Sequence, residues 1–236
     1  MYISLMHADN TANIWVLIPT YNEAAVIRST VMDVLSYGYK VILIDDGSTD
    51  NTRESLQGLP ITFLHHKTNL GQGAALETGM AFARKYKPEV IVHFDADGQH
   101  QAADIPPLVA PILQGEAEVV QGSRFLSYPP AGPLSMARKV LLRLAVIFHA
   151  LLTGIWLSDA HNGLRALHKT AYQKIHFSLP GMGHATEFLM EVKKHGLSIR
   201  EVPVRVAYTP YSLQKGQQLL NAFHILQEVL LKRGLS

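Results

Sequence analysis

The chain has 236 residues, 47% apolar and 17% charged, which suits one large domain or two small ones with a sizeable core. Lys and Arg outnumber Asp and Glu by only 21 to 19, so the charge balance gives no ground for a nucleic-acid partner. The absence of cysteine excludes disulfides and thiolate metal sites and fits a reducing compartment, and no His-x-x-x-His pair suggests zinc.

Residues 1–12 are polar, lack the pattern of a signal peptide, and read as a frayed end. Strands and helices then alternate. Ile14–Ile18 reads as a buried strand closed by Pro19, and Glu23–Ser36 as a helix with Asn22 as its N-cap. Val41–Ile44 is a second strand ending in Asp45-Asp46-Gly47-Ser48, and Thr49–Gln57 a helix. Ile61–Leu64 is a third strand, followed by Gly71-Gln72-Gly73 and an Ala-rich helix over Gly73–Tyr86. Val90–Phe94 is a fourth strand, Ala103–Gln114 a helix and Val119–Gly122 a short strand. Near-continuous apolar strands separated by helices predict a mostly parallel α/β sheet covered on both faces. Ligands of such sheets bind at the carboxyl ends of the strands.

Phe125–Ala137 is rich in Pro, Gly and Ser and reads as a loop. Val119–Ser158 holds no acidic residue but carries Arg124, Arg138, Lys139 and Arg143, an anion-binding pattern. Within it, Val140–Leu157 is long and apolar, yet Arg143 and His149 interrupt it. We read it as a buried or interfacial helix, not a span. The segment Asp159-Ala160-His161-Asn162-Gly163-Leu164-Arg165, a helix around Ala185–His195 and a strand over Glu201–Val206 follow. An amphipathic helix, Leu219–Lys232, closes the chain.

The sharpest chemical signal is Asp95-Ala96-Asp97 at the end of the fourth strand. Two carboxylates two residues apart face the same side, and their repulsion asks for a cation. Mg²⁺ or Mn²⁺ prefers such oxygens and keeps phosphate as a further ligand. Gln99 can add a neutral oxygen, so the cluster suggests a divalent metal holding a diphosphate.

Four segments occur in order: Ile18-Pro19-Thr20-Tyr21-Asn22-Glu23, Ile44-Asp45-Asp46-Gly47-Ser48-Thr49-Asp50, Asn69-Leu70-Gly71-Gln72-Gly73 and Asp95-Ala96-Asp97-Gly98-Gln99. Together they resemble the family 2 glycosyltransferases of GT-A fold, above all the dolichol-phosphate mannosyltransferase-like branch. The resemblance runs from about Trp15 to Gln217. It implies a GT-A catalytic domain over 13–217, with 218–236 as a C-terminal helix packed on or extending from it. It implies that Pro19, Tyr21, Glu23, Ile44 and Asp46 line a nucleotide pocket and that Asp95 and Ala96 approach ribose and phosphate. Asp97 and Gln99, with Asp95, are then the metal ligands, and Arg124 and the loop residue Lys215 act on the donor phosphates. Arg138 falls where the branch carries a basic residue for the acceptor phosphate, while Thr209 stands where it usually carries an arginine.

The implied activity is inverting transfer of a sugar from a nucleotide-diphosphate sugar to a polyprenyl phosphate or glycan precursor. The implied location is the cytoplasm, peripheral on the cytoplasmic face of a membrane. A hydroxyl acceptor would need a base, for which Asp159 comes first and Glu187 second. Glu187 also has a purely structural reading, as a carboxylate paired with Arg165. A soluble sugar hydroxyl as acceptor, or a non-catalytic sugar-nucleotide binder, remain the alternatives. A phosphoryl-receiver domain is about half this length, and a nucleotidyltransferase starts with a Gly-rich basic loop where this chain has Pro19–Glu23.

Overall fold

The structure, a computed structural model, describes residues 13–126, 146, 150–151, 153–159, 162–181 and 183–207. Its frame is a seven-stranded sheet: β1 Ile14–Thr20, β2 Lys40–Asp45, β3 Thr62–His65, β4 Val90–His93, β5 Val119–Ser123, β6 Arg165–His168 and β7 Ile199–Pro203. The strand order is β3-β2-β1-β4-β6-β5-β7. β1 to β4 are parallel, β6 runs antiparallel to both β4 and β5, and β5 and β7 are parallel. The sheet is therefore mostly parallel, as the apolar runs predict, with one reversed strand.

β1 shows how the sequence builds two cores. Its seven residues are all buried, and the period of two sends alternate side chains to opposite faces. Val16 and Ile18 join a cluster with Ile27, Val31 and Val34 of α1 (Ile27–Ser36). Trp15 and Leu17 join another with Ala75, Leu76 and Met80 of α3 (Gln72–Tyr86). A short α2 spans Thr52–Ser55; α4 (Ile105–Leu113) covers the first face, and α5 (Lys169–Tyr172) and α6 (His184–Lys194) the second. At about 25 cal/mol per Å² of apolar area, these two layers are the main source of stability.

Several expected boundaries move. The first helix starts at Ile27, four residues after Glu23, and Asn22 is not its N-cap. Asn22 lies at φ 54°, and its side-chain oxygen accepts from the Thr49 and Asp50 N–H groups at 2.8 and 3.3 Å. The Asn22, Glu23 and Ala24 N–H groups donate in return to Ser48 Oγ, Thr52 Oγ1 and Asp50 Oδ2. Residues 22–24 are thus consumed in stitching the loop after β1 to the loop after β2. The helix expected over Thr49–Gln57 shrinks to α2 for the same reason. Arg165–His168, not expected as a strand, is β6. The strand expected at Glu201–Val206 is β7, shifted to Ile199–Pro203. Among the described residues no helix is long and apolar enough to cross a membrane. Most of Val140–Leu157, and all of Leu219–Lys232, lie outside them.

Candidate active site

A cavity of about 480 Å³ opens where β1, β2 and β4 end. The loops after β1 and β2 supply Pro19, Thr20, Tyr21, Glu23 and Asp46. The entry to α3 supplies Asn69, Gly71, Gln72 and Ala75. The segment after β4 supplies Asp95, Ala96, Asp97, Gln99 and His100, and Arg124, Gly163 and Val206 complete the lining. Nine of the expected site residues therefore line one cavity: Pro19, Tyr21, Glu23, Asp46, Asp95, Ala96, Asp97, Gln99 and Arg124.

Ile44 does not reach the cavity. It is fully buried in the α3-side core, where its Cδ1 lies 2.8 Å from the place a Cβ on Gly79 would take. Asp159 is buried behind the wall: its Oδ2 accepts from the Arg124 N–H at 3.1 Å and Nε at 2.7 Å. Glu187, the second base candidate, is buried and accepts from the Ser178 and Leu179 N–H groups. Arg138 and Lys215 lie outside the described residues.

Asp46 is held by three donors. His66 Nδ1 and the Leu70 and Gly71 N–H groups reach its two oxygens at 2.7 to 2.9 Å. The carboxylate thus fixes the loop leading into α3 as well as facing the cavity. The glycines of that loop have a packing cause. The Gly73 N–H donates to Pro180 O at 2.7 Å, and a Cβ at Gly71 would fall 2.3 Å from the same carbonyl. Close backbone approach, not a dinucleotide loop, explains Gly71-x-Gly73.

Asp95 and Asp97 are set differently. Asp95 Oδ1 accepts from Gln72 Nε2 at 3.2 Å, and His100 Nε2 is 3.3 Å from Oδ2. Burial raises the Asp95 carboxyl, but the His100 hydrogen bond and charge, with Arg165 and His184, outweigh it and hold the group low. Asp97 is pushed up to about 6, first by burial, then by the charge of Asp95, with Glu23 adding to it. Its one described donor is the Gln99 N–H at 3.0 Å. Two carboxylates under mutual repulsion, with Gln99 on the same wall, fit a hard divalent cation. Among the described residues no three acidic or histidine side chains form a cage. A cation bridging a diphosphate takes one or two carboxylates from the protein and the rest of its ligands from phosphate and water.

The sequence reading gave no site role to Thr20, Asn69, Gly71, Gln72, Ala75, His100, Gly163 or Val206. Thr20, Asn69, Gly71, Gln72 and Gly163 lie inside the motifs it singled out, and His100 follows Gln99 directly; nothing in the pattern marks Ala75 or Val206.

A family model described as "Glycosyl transferase family 2" matches residues 15–176, most of the chain. The chain belongs to glycosyl transferase family 2. This family 2 chain is 33% identical to the UDP-N-acetylglucosamine–dolichyl-phosphate N-acetylglucosaminyltransferase of Methanococcus voltae, covering 94% of this chain and 96% of that one. It is 27% identical to the polyprenol monophosphomannose synthase of Mycolicibacterium smegmatis, covering 80% and 75%. The fold matches glucosyl-3-phosphoglycerate synthase of Mycobacterium tuberculosis, in complex with Mn²⁺, UDP and glucosyl-3-phosphoglycerate, at TM-score 0.67 and 21% identity, over 94% and 80% of the two chains. The GT-A-like fold expected from the four motifs is thus the one observed, and the protein is a glycosyltransferase.

Proposed function

We propose that this glycosyltransferase moves a sugar, with inversion, from a uridine-diphosphate sugar to a polyprenyl phosphate at a membrane surface. The observation that carries the reading is the cavity itself, lined both by the Asp95–Asp97 pair and by Arg124, which Asp159 aims. The dolichyl-phosphate and polyprenol specificities in the relatives' names support the acceptor, and UDP in the names of a relative and of the bound structure supports the base.

Asp97, Asp95 and Gln99 would hold a divalent cation. Bound there, it supplies Lewis-acid stabilisation of the charge that develops on a leaving diphosphate. Arg124 adds a fixed positive charge to the same region, and its orientation is set in advance by Asp159, so little reorganisation is left for the reaction. Tyr21, Glu23 and Asp46, on the two stitched loops, line the nucleoside end.

The state of the carboxylates favours a phosphate acceptor. Asp159, Asp46 and Glu187 are each taken up by two or more donors. A hydroxyl acceptor needs a carboxylate ready to take its proton, whereas a phosphate monoester is already an anionic nucleophile. The surface near Arg124 supports a lipid. Phe125 and Leu126 follow it and are exposed, and Ser123 Oγ bonds Ser158 Oγ at 2.6 Å, joining this strand end to the segment that carries Trp156. Trp156 and Leu151 are 70% and 78% exposed, a placement that suits an apolar–aqueous boundary.

Thermal shift with nucleotide sugars, with and without Mn²⁺, tests the donor half. A ligand at 100 times its Kd stabilises the fold by about 2.7 kcal/mol. We expect UDP-sugars with Mn²⁺ to raise the Tm of the wild type, and Asp97→Asn to lose the Mn²⁺-dependent part. An Asp97→Asn protein with the full Mn²⁺ response would refute the assignment.

A further inference from the structure

A buried polar cluster lies beneath the cavity. On the α6 side of the sheet, Ile91, Leu167 and Val119 form an apolar cross-strand row on β4, β6 and β5. Two residues along each strand toward the cavity, the next row on that face is His93, Arg165 and Gln121. One further pleat reaches Asp95 and Gly163. These two are so close that a Cβ on Gly163 would fall 2.1 Å from Asp95 Oδ2. The polar row is therefore the floor on which the carboxylate pair stands.

Arg165 is 3% exposed and its guanidinium lies 4.3 Å above the Phe188 ring. Its Nη2 reaches Asn162 O at 3.4 Å, but Nε and Nη1 are buried without a partner. Both ring nitrogens of His93 and Oε1 of Gln121 are also unpartnered. A buried cation in this state is costly unless an opposite charge stands close. Glu187, which the sequence offers as an alternative partner, accepts from the Ser178 and Leu179 N–H groups. Asp95 stands one pleat from Arg165 on this same face, against Gly163, and its negative charge favours the charged guanidinium while burial opposes it.

We propose that Arg165 is a positioning residue, the built-in counter-charge of Asp95. It offsets part of the negative charge of the carboxylate pair, so that cation recruitment falls chiefly to Asp97. This rests on the metal reading above for its function but not for the pairing itself.

A thermal double-mutant cycle in EDTA tests the pairing. Asp95→Asn leaves Arg165 as a lone buried charge and is expected to lower Tm by about 10 °C. Adding Arg165→Met should return most of that loss, and Arg165→Lys should not. Additive shifts from Asp95→Asn and Arg165→Met would overturn the proposal. Mn²⁺ titration in the presence of UDP tests the consequence. Arg165→Met should bind Mn²⁺ about tenfold more tightly than wild type, a difference of about 1.4 kcal/mol. Arg165→Lys should return to the wild-type value, and unchanged or weaker Mn²⁺ binding in Arg165→Met would contradict the counter-charge role. Because the cycle is read without metal, a wild-type protein that binds no Mn²⁺ sinks the metal reading while the cycle still decides the pairing.

Discussion

The Asp159 carboxylate lies 2.7 Å from Arg124 Nε and 3.1 Å from the Arg124 backbone N–H, so one buried oxygen fixes both the strand end and its guanidinium. Asp159 is itself fixed by Glu201 of β7, whose carboxylate accepts from the Ser158 and Asp159 N–H groups at 2.7 and 3.0 Å. The chain Glu201–Asp159–Arg124 makes Asp159 an orienting group for a cation at the cavity wall.

Asp159→Asn keeps the shape and removes the charge. It should lower kcat/KM about 10- to 100-fold, mainly through weaker donor binding, because one charge-assisted bond is weakened and Arg124 loses its set. The acidic limb of the pH–rate profile should not move. Loss of that limb, with donor KM unchanged, would make Asp159 the base instead.

Gly163→Ala places a methyl group on the Asp95 carboxylate. The clash is with Oδ2 at 2.1 Å and Cγ at 2.6 Å, so Asp95 must turn away or the 162–163 backbone must shift. We expect turnover to fall about 100-fold, in the range found when one preorganised electrostatic group is lost. The circular-dichroism spectrum should stay native. Near-wild-type turnover would mean that Asp95 has no fixed role.

Acid should weaken the metal-free fold. Burial, then the charge of Arg165, hold His184 down at about 4 against an ordinary 6.5. The unfolded chain binds more protons between these values, so this stability is full above about pH 6.5 and lost as pH falls toward 4. His93, held well below its ordinary value mainly by burial, acts in the same sense. Asp97, raised to about 6, acts against it, since the folded form gains its proton first. The readout is therefore a difference: between pH 7 and 5, His184→Gln should lose about 2 kcal/mol less stability than wild type. Parallel urea-midpoint curves for the two proteins would show that His184 is not held neutral.

Liposome sedimentation checks the surface. Trp156→Glu with Leu151→Glu should cut binding to anionic vesicles severalfold, because each apolar contact with the boundary is replaced by a charge that repels it. The wild type remaining wholly in the supernatant would remove the membrane half of the reading.

Much of this was legible in the sequence where strand ends carry chemistry. The apolar runs of β1, β2 and β4 and the acidic clusters behind them have simple periodicities, and they converge because parallel strands end on one side. What was not legible depends on long-range pairing. β6 begins with Arg165 and ends with His168, so it carries no apolar run, and only the antiparallel pairing with β4 makes it a strand. Asn22 resembles a helix cap because caps and loop clamps use the same side-chain acceptor. Asp159 and Glu187 are base candidates in one dimension, with a structural reading of Glu187 beside Arg165 that names the wrong donors. Their donors, at Arg124, Ser178 and Leu179, become visible only in the fold.

The most direct test of the central claim is sugar transfer measured side by side on a polyprenyl phosphate and on the matching polyprenol, with a UDP-sugar and Mn²⁺ at neutral pH. We expect a glycosyl phosphate product from the first and no detectable product from the second, since Asp159 and Glu187, the base candidates for an alcohol, are both engaged by donors. Equal transfer to the alcohol, or faster transfer to a water-soluble sugar, would contradict it.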